Sequence, residues 1–240
     1  MKGFIKKIAP DGLLRIYGYY KKRRLEKYLK GKSAKKVFSE IYNTNKWKGE
    51  TSRSGTGSDP SQTHIVIDEL NRVIDEFEIK SVLDLPCGDF EWMRNVSLEN
   101  VNYLGADIVD ALIDRNTQQF ARENVSFQVI DLIKDELPKS DLIVTRDCLV
   151  HLCFEDVVAS INNIKASGSK YLLTTTFPAH SKNTDIVTGQ WRTLNLQLSP
   201  FNFPKPIKVM NENCTEAGGI FKDKSLALYL IDHIQIPKLK

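Results

Sequence analysis

The sequence predicts an α/β domain in which a mostly parallel sheet is covered by helices on both faces. From Lys80 onward, short apolar runs recur at 81–85, 102–106, 126–130, 141–145 and 171–175. Helix-length segments lie between several of them, at about 109–122 and 154–165, and apolar strands alternating with helices imply a parallel sheet buried on both sides. Two later runs, 207–210 and 226–231, bring the expected sheet to seven strands. Of the 240 residues, 41% are hydrophobic and 27% charged, the balance of a soluble chain that buries one substantial core.

Taken in order, residues 1–45 form a basic helical extension. Phe4, Ile5, Ile8, Leu13, Leu14, Ile16, Tyr17 and Tyr20 make an apolar stripe, broken by Pro10 and Gly12 and followed by Lys21-Lys-Arg-Arg24. Residues 1–50 hold 15 Lys/Arg against 4 Asp/Glu, whereas the other 190 hold 19 against 26. A basic arm thus precedes an acidic body. Such an arm either lies on an anionic membrane surface or packs its stripe on the domain and solvates its charges; both readings stand. Residues 46–61, with Gly49, Gly55, Gly57 and Pro60, are too rich in glycine and serine for regular structure, and we expect a lid loop. Trp47 in so polar a segment has something to cover. Next, Ile65, Ile67, Leu70, Val73, Ile74 and Phe77 recur at near-helical spacing, so the α/β domain, 62–240, opens with an amphipathic helix over about 62–78.

Several classes are excluded. No run approaches the roughly 20 apolar residues of a membrane span, and the basic N-terminus lacks the apolar stretch and cleavage site of a secretory signal. The four cysteines show neither Cys-x-x-Cys pairs nor zinc-finger histidine spacing, so reduced thiols in a cytoplasmic protein are expected and no structural metal.

The chemistry is expected at the strand ends. In an open parallel sheet, ligands bind beyond the carboxyl ends of the strands, where strand order reverses. The first strand ends in Val82-Leu-Asp-Leu-Pro-Cys-Gly-Asp-Phe-Glu-Trp-Met93, with Asp84 at the end and Gly88 where backbone approaches a ligand closely. Asp107 closes the second strand 23 residues after Asp84, a spacing at which a carboxylate accepts both ribose hydroxyls in nucleotide folds. Asp131 and Leu132 end the third, suited to an amino-purine edge and ring.

Together with Leu142-Ile-Val-Thr-Arg-Asp-Cys-Leu-Val-His-Leu152, these segments resemble the class I S-adenosylmethionine-dependent methyltransferases over about residues 62–232. The resemblance implies their Rossmann-like seven-stranded sheet, with one antiparallel strand in the last pair. The chain departs from the family's Gly-x-Gly-x-Gly turn, with Pro86 and Phe90 at the first and third positions. Proline cannot take a positive φ, so the turn must run differently. The string from Asp84 to Met93, with Trp47-x-x-Glu50-x-Ser52-x-Ser54-Gly-x-Gly-Ser58, is similar to methyltransferases of capsular, O-antigen or other glycan synthesis. By that resemblance Asp84, Pro86 and Gly88 line the methionine end of S-adenosylmethionine, Asp107 holds the ribose, and Asp131 with Leu132 frames the adenine. Trp47, Ser54, Gly57 and Arg146 complete the expected cofactor set.

The segment after the fourth strand faces the transferable methyl in this family. Asp147 or His151 is therefore the expected base, on one face of a helical turn, with Asp147 either orienting His151 or touching the acceptor itself; packing beneath the cofactor is the competing role. Glu50, Trp191, Arg192 and Asn195 are the expected acceptor contacts. The implied reaction is O-methylation of a sugar hydroxyl on a glycan or its precursor. A nucleic-acid methyltransferase is the nearest rival, but the Asn/Asp-Pro-Pro-aromatic sequence of base-amino enzymes is missing. Another small-molecule acceptor, or a non-catalytic subunit keeping the fold, are the remaining alternatives. We expect no nucleic-acid partner and a cytoplasmic protein, with contact of the basic arm at a membrane periphery as one of the arm's two readings.

Overall fold

The computed structural model describes residues 11–49, 52–237 and 239. The stripe expected over 4–8 and the role given to Glu50 lie outside the described residues. Seven strands form one sheet: β1 (Ser81–Asp84), β2 (Asn102–Asp107), β3 (Val125–Val129), β4 (Leu142–Thr145), β5 (Tyr171–Thr176), β6 (Lys208–Asn211) and β7 (Ser225–Leu230). Their order is β3-β2-β1-β4-β5-β7-β6. Pairing is parallel from β3 to β5, and β7 runs antiparallel to both its neighbours. Strand order reverses between β1 and β4, which creates the crevice where ligands bind in such sheets.

The central strands β4 and β5 are buried along their whole length, so they read as continuous apolar or threonine-rich runs rather than alternating ones. Edge strand β3 alternates instead. Helix α3 (Pro60–Glu76) covers one face, setting Val66, Leu70, Val73 and Ile74 against Val82, Leu142, Val144 and Leu173. These helix positions recur at three- and four-residue steps, which places them on one stripe. Helix α5 (Phe154–Ala166) covers the other face with Val157, Ile161 and Ile164. It is joined there by Leu194, Leu196, Phe201 and Phe203 of the β5–β6 connection, which is neither helix nor strand. Pro178, Pro200, Pro204 and Pro206 withhold backbone donors along that connection, yet its apolar residues complete the core.

Helices α1 (Asp11–Leu29) and α2 (Ala34–Asn43) precede the sheet, and Ser33 caps α2 by accepting from the Lys36 N–H. The α2 side chains Phe38 and Tyr42 pack with Val109, Leu112 and Ile113 at the start of α4 (Asp110–Phe120). Leu29, Val37 and Ile41 form a second cluster with Trp47 and Val187. Gly189 is the tightest point of this docking: its φ is +96°, and a Cβ there would stand 2.4 Å from Val37 Cγ1. Gly189→Ala is expected to lower stability by about 1–3 kcal/mol through overpacking and left-handed strain; urea unfolding measures it.

No helix among the described residues is long and apolar enough to cross a membrane.

Candidate functional site

Two cavities open at the carboxyl ends of the strands. The first is bounded by the turn after β1, by Asp107 and Ile108, by residues 130–133 and by residues 146–148. Phe38 and Tyr42 of α2 close its side. The second is walled by Phe177, Trp191 and Phe221 with Glu216 and Lys224. Trp47, Ser54, Asp147 and His151 line both, so the cavities meet at these four residues.

The turn after β1 replaces the expected glycine pattern with other supports. Gly88 takes φ +55° and Phe90 φ +62°, both left-handed. Phe90 is held in that costly conformation by burial of its ring against Tyr103, Phe120 and Phe127, with centroids 5.2, 5.3 and 5.2 Å away. Asn116 of α4 donates to the Gly88 carbonyl at 2.7 Å. A Cβ on Gly88 would lie 2.3 Å from Ser54 Oγ, so the segment around Ser54 rests directly on the turn. Asp89 fastens it there: Ser52 Oγ and the Arg53 N–H donate to its carboxylate at 2.9 and 2.8 Å.

The strand-end acids differ in setting. Burial pushes the Asp84 carboxyl up to about 7, against a 2.8 Å hydrogen bond from the Tyr103 hydroxyl. Asp84 does not line the cavity. Asp107 does, at 6% exposure, and burial raises it to about 6 against backbone N–H donors of Val109, Gly88 and Ile108. Asp131 also lines the cavity, raised by burial, with Leu132 and Ile133 beside it.

Asp147 belongs to a quartet of charges whose other members, Arg146, Glu212 and Lys224, are buried behind the junction. Arg146 pairs with Glu212 at 2.7 Å, and Lys224 bridges Asp147 at 2.6 Å and Glu212 at 3.3 Å. Burial alone would raise the Asp147 carboxyl, but the Lys224 ammonium and Arg146 guanidinium outweigh it and hold it at about 2. Asp147 is therefore a fixed anion and a poor proton acceptor. Arg146 also donates to the Gly57 carbonyl at 2.9 Å, and Thr56 Oγ1 donates to Glu216 at 2.5 Å. Residues 52–58 thus form a strap fixed at Asp89 on one side and at Arg146 and Glu216 on the other.

His151 Nδ1 lies 2.9 Å from the Gln190 carbonyl. A carbonyl only accepts, so Nδ1 carries the proton and Nε2 keeps its lone pair. Burial lowers the imidazole below its ordinary value, so it is neutral near pH 7. Trp47 stacks on the ring, with centroids 4.9 Å apart.

The structure brings together Trp47, Ser54, Pro86, Gly88, Asp107, Asp131, Leu132, Arg146, Asp147 and His151 in the first cavity. It corrects several expectations. Asp84 lies outside the lining because Tyr103 holds it in the core. Gly57 lines the second cavity instead of the first. Asp147 and His151 do not share a helical turn: Asp147 has φ +51°, and a 3-10 turn spans Leu149–His151. Gln190 orients His151, while Asp147 holds Lys224. Of the acceptor residues, Trp191 lines the second cavity at 42% exposure, but Arg192 and Asn195 serve loop packing. Arg192 donates to the Leu149 carbonyl, and Asn195 to the carbonyls of Pro178 and His180. Sequence reasoning missed Phe38 and Tyr42, the strap anchor Asp89, and Glu212 with Lys224. The helical spacing of Phe38 and Tyr42 was the one available signal.

No protein-family model matches the chain, and no curated protein sequence matches it. Among solved structures it is similar to PigF with SAH, at 15% identity and a TM-score of 0.58, covering 81% of this chain and 62% of that one. It is also similar to human N-acetylserotonin methyltransferase in complex with SAM, at 15% identity and a TM-score of 0.56, covering 83% of this chain and 60% of that one. The chain therefore spans less than two thirds of the length of either structure. The likeness is one of fold: the seven-stranded sheet and its flanking helices match those of these two structures.

Proposed function

We propose that the chain is an S-adenosylmethionine-dependent O-methyltransferase whose acceptor is a sugar hydroxyl of a glycan or its precursor. The observation that carries this reading is the position of His151, a neutral imidazole in the wall shared by two cavities, with its Nε2 free. The first cavity suits the cofactor in chemistry. Asp107 is a buried carboxylate at the end of β2, able to accept ribose hydroxyls, and Ile108, Leu132 and Ile133 offer apolar surface to a purine. When bound, the cofactor supplies an electrophilic methyl carried on a sulfonium. The chain's own groups then orient, exclude water and move one proton.

The second cavity supports a hydroxyl-rich acceptor. Trp191 and Phe221, with centroids 4.7 Å apart, form an aromatic wall, and Glu216 and Lys224 set polar groups beside it. Apolar faces and polar edges in one chamber match a sugar ring. A hydroxyl placed at the junction donates toward His151 Nε2, and Trp47 shields the proton transfer from solvent.

The strap acts as the lid in this reading. It roofs both cavities, and its anchors are a few hydrogen bonds rather than a packed core. Amide hydrogen exchange over residues 52–58 is expected to slow when S-adenosylmethionine is added. Unchanged exchange at saturating cofactor would remove the lid. The acceptor class is tested by incubating the protein with methyl-labelled cofactor and a panel of nucleotide sugars and glycans, read by mass spectrometry. Label on a nucleic-acid or non-sugar control, and on no glycan, would overturn the sugar assignment.

A further inference from the structure

We propose that Arg53 receives the carboxylate at the amino-acid end of the cofactor, and so ties cofactor binding to the strap that roofs the acceptor cavity. The proposal rests on the S-adenosylmethionine reading above.

The charge inventory of the first cavity leads to it. Its lining carries four carboxylates, Asp89, Asp107, Asp131 and Asp147, and two guanidinium groups, Arg53 and Arg146. Arg146 is committed to Glu212, Asp147 and the Gly57 carbonyl. Among the described residues, no carboxylate pairs with Arg53. Its guanidinium lies 5.6 Å from the centre of the Tyr42 ring, an aromatic face that holds the side chain without neutralising it. S-adenosylmethionine presents a sulfonium, an ammonium and one carboxylate. The acids complement the two cations, and Arg53 is the cation left for the anion. A guanidinium also matches a carboxylate in shape, through two parallel N–H donors.

Position agrees with charge. Sheet order β3-β2-β1 sets Asp131, Asp107 and the Gly88 turn in succession along the cavity. A purine at Asp131 and a ribose at Asp107 bring the amino-acid end to the β1 turn. Arg53 stands there, its backbone N–H fixed to Asp89 Oδ2 at 2.8 Å. Its neighbour Ser54 lines both cavities, and Thr56 and Gly57 line the second. A ligand carboxylate on Arg53 therefore steadies the acceptor chamber through one short run of backbone.

Isothermal calorimetry with S-adenosylhomocysteine and 5′-methylthioadenosine, which lacks the amino-acid end, tests the assignment. Arg53→Gln is expected to weaken S-adenosylhomocysteine by about 10- to 100-fold, the effect of losing charge-assisted hydrogen bonds, while methylthioadenosine stays within about twofold. Arg53→Lys, which keeps the charge without the fork, should fall between. Because Arg53 is exposed, neither variant threatens the core, and retained methylthioadenosine binding reports an intact cavity. If Arg53→Gln binds S-adenosylhomocysteine as wild type does, or loses both ligands equally, the assignment is overturned while the cofactor reading stands. Wild-type protein that binds neither ligand overturns the cofactor reading itself.

Discussion

Asp107→Ala is expected to weaken S-adenosylmethionine binding by about 2–4 kcal/mol, or roughly 30- to 1000-fold. The figure follows from a buried carboxylate accepting two ribose hydroxyls, each such bond contributing about 1.5–3 kcal/mol before discounting for non-additivity. The carboxyl is already desolvated in the protein, so ligand binding adds no new burial cost for it. Its raised pKa, about 6, gives the prediction a second reading. The ionised form accepts both hydroxyls, whereas the protonated form spends one oxygen as a donor. Affinity should therefore be level above about pH 7 and fall as the pH drops through 6, with a proton released on binding across that window. Calorimetry in two buffers of different ionisation enthalpy measures both quantities. An alanine variant within twofold of wild type would show that the ribose is held elsewhere.

How much of this site could be read from the sequence depends on what kind of contact makes it. Asp107, Asp131 and Gly88 were legible because strand ends are legible: a buried parallel strand is an apolar run, and its first polar residue marks the ligand side of the sheet. The number of strands followed from the same pattern, and the antiparallel member of the last pair from the family resemblance. Arg192 and Asn195 were misplaced because the β5–β6 connection has no period from which to tell inward from outward residues. Asn195 looks like a ligand donor in sequence, yet its amide is taken by the carbonyls of Pro178 and His180, which no helix or strand satisfies. The partner of His151 is a main-chain carbonyl, and any residue at position 190 presents one, so composition carries no trace of it. Glu212 and Lys224 are likewise invisible: they meet Arg146 and Asp147 only because antiparallel β7 returns beside β5. Burying Arg146, Glu212 and Lys224 is costly unless they and Asp147 neutralise one another, and that balance exists only in three dimensions.

His151→Ala should reduce methyl transfer by about 10²- to 10⁴-fold, the usual range for losing general-base assistance, while S-adenosylhomocysteine affinity stays within about threefold. The proposed acceptor, a sugar hydroxyl, is too weak an acid to ionise unaided near neutrality, so in that reaction its proton passes to a neighbouring acceptor as the oxygen bonds to carbon. Three groups at the junction compete for that role. Lys224 is kept protonated by Asp147 and Glu212 despite its burial. Asp147 is held at about 2 by Lys224 and Arg146 and accepts protons poorly. His151 alone is neutral with an unshared lone pair, and the Gln190 carbonyl fixes which nitrogen bears it. The pH profile follows with its sign. Activity needs the unprotonated ring, so the rate declines as the pH falls through the His151 pKa, which burial places below the ordinary imidazole value of about 6.5. In His151→Ala that acidic limb should vanish along with the rate. Asp147→Asn separates the rivals. If Asp147 were the base, this variant would lose turnover with unchanged stability and an acidic limb near pH 2. As the partner of Lys224, it should instead lower the unfolding midpoint, because its removal leaves a buried ammonium with only Glu212 to balance it. Retention of turnover within a few-fold by both variants would place the base outside this junction.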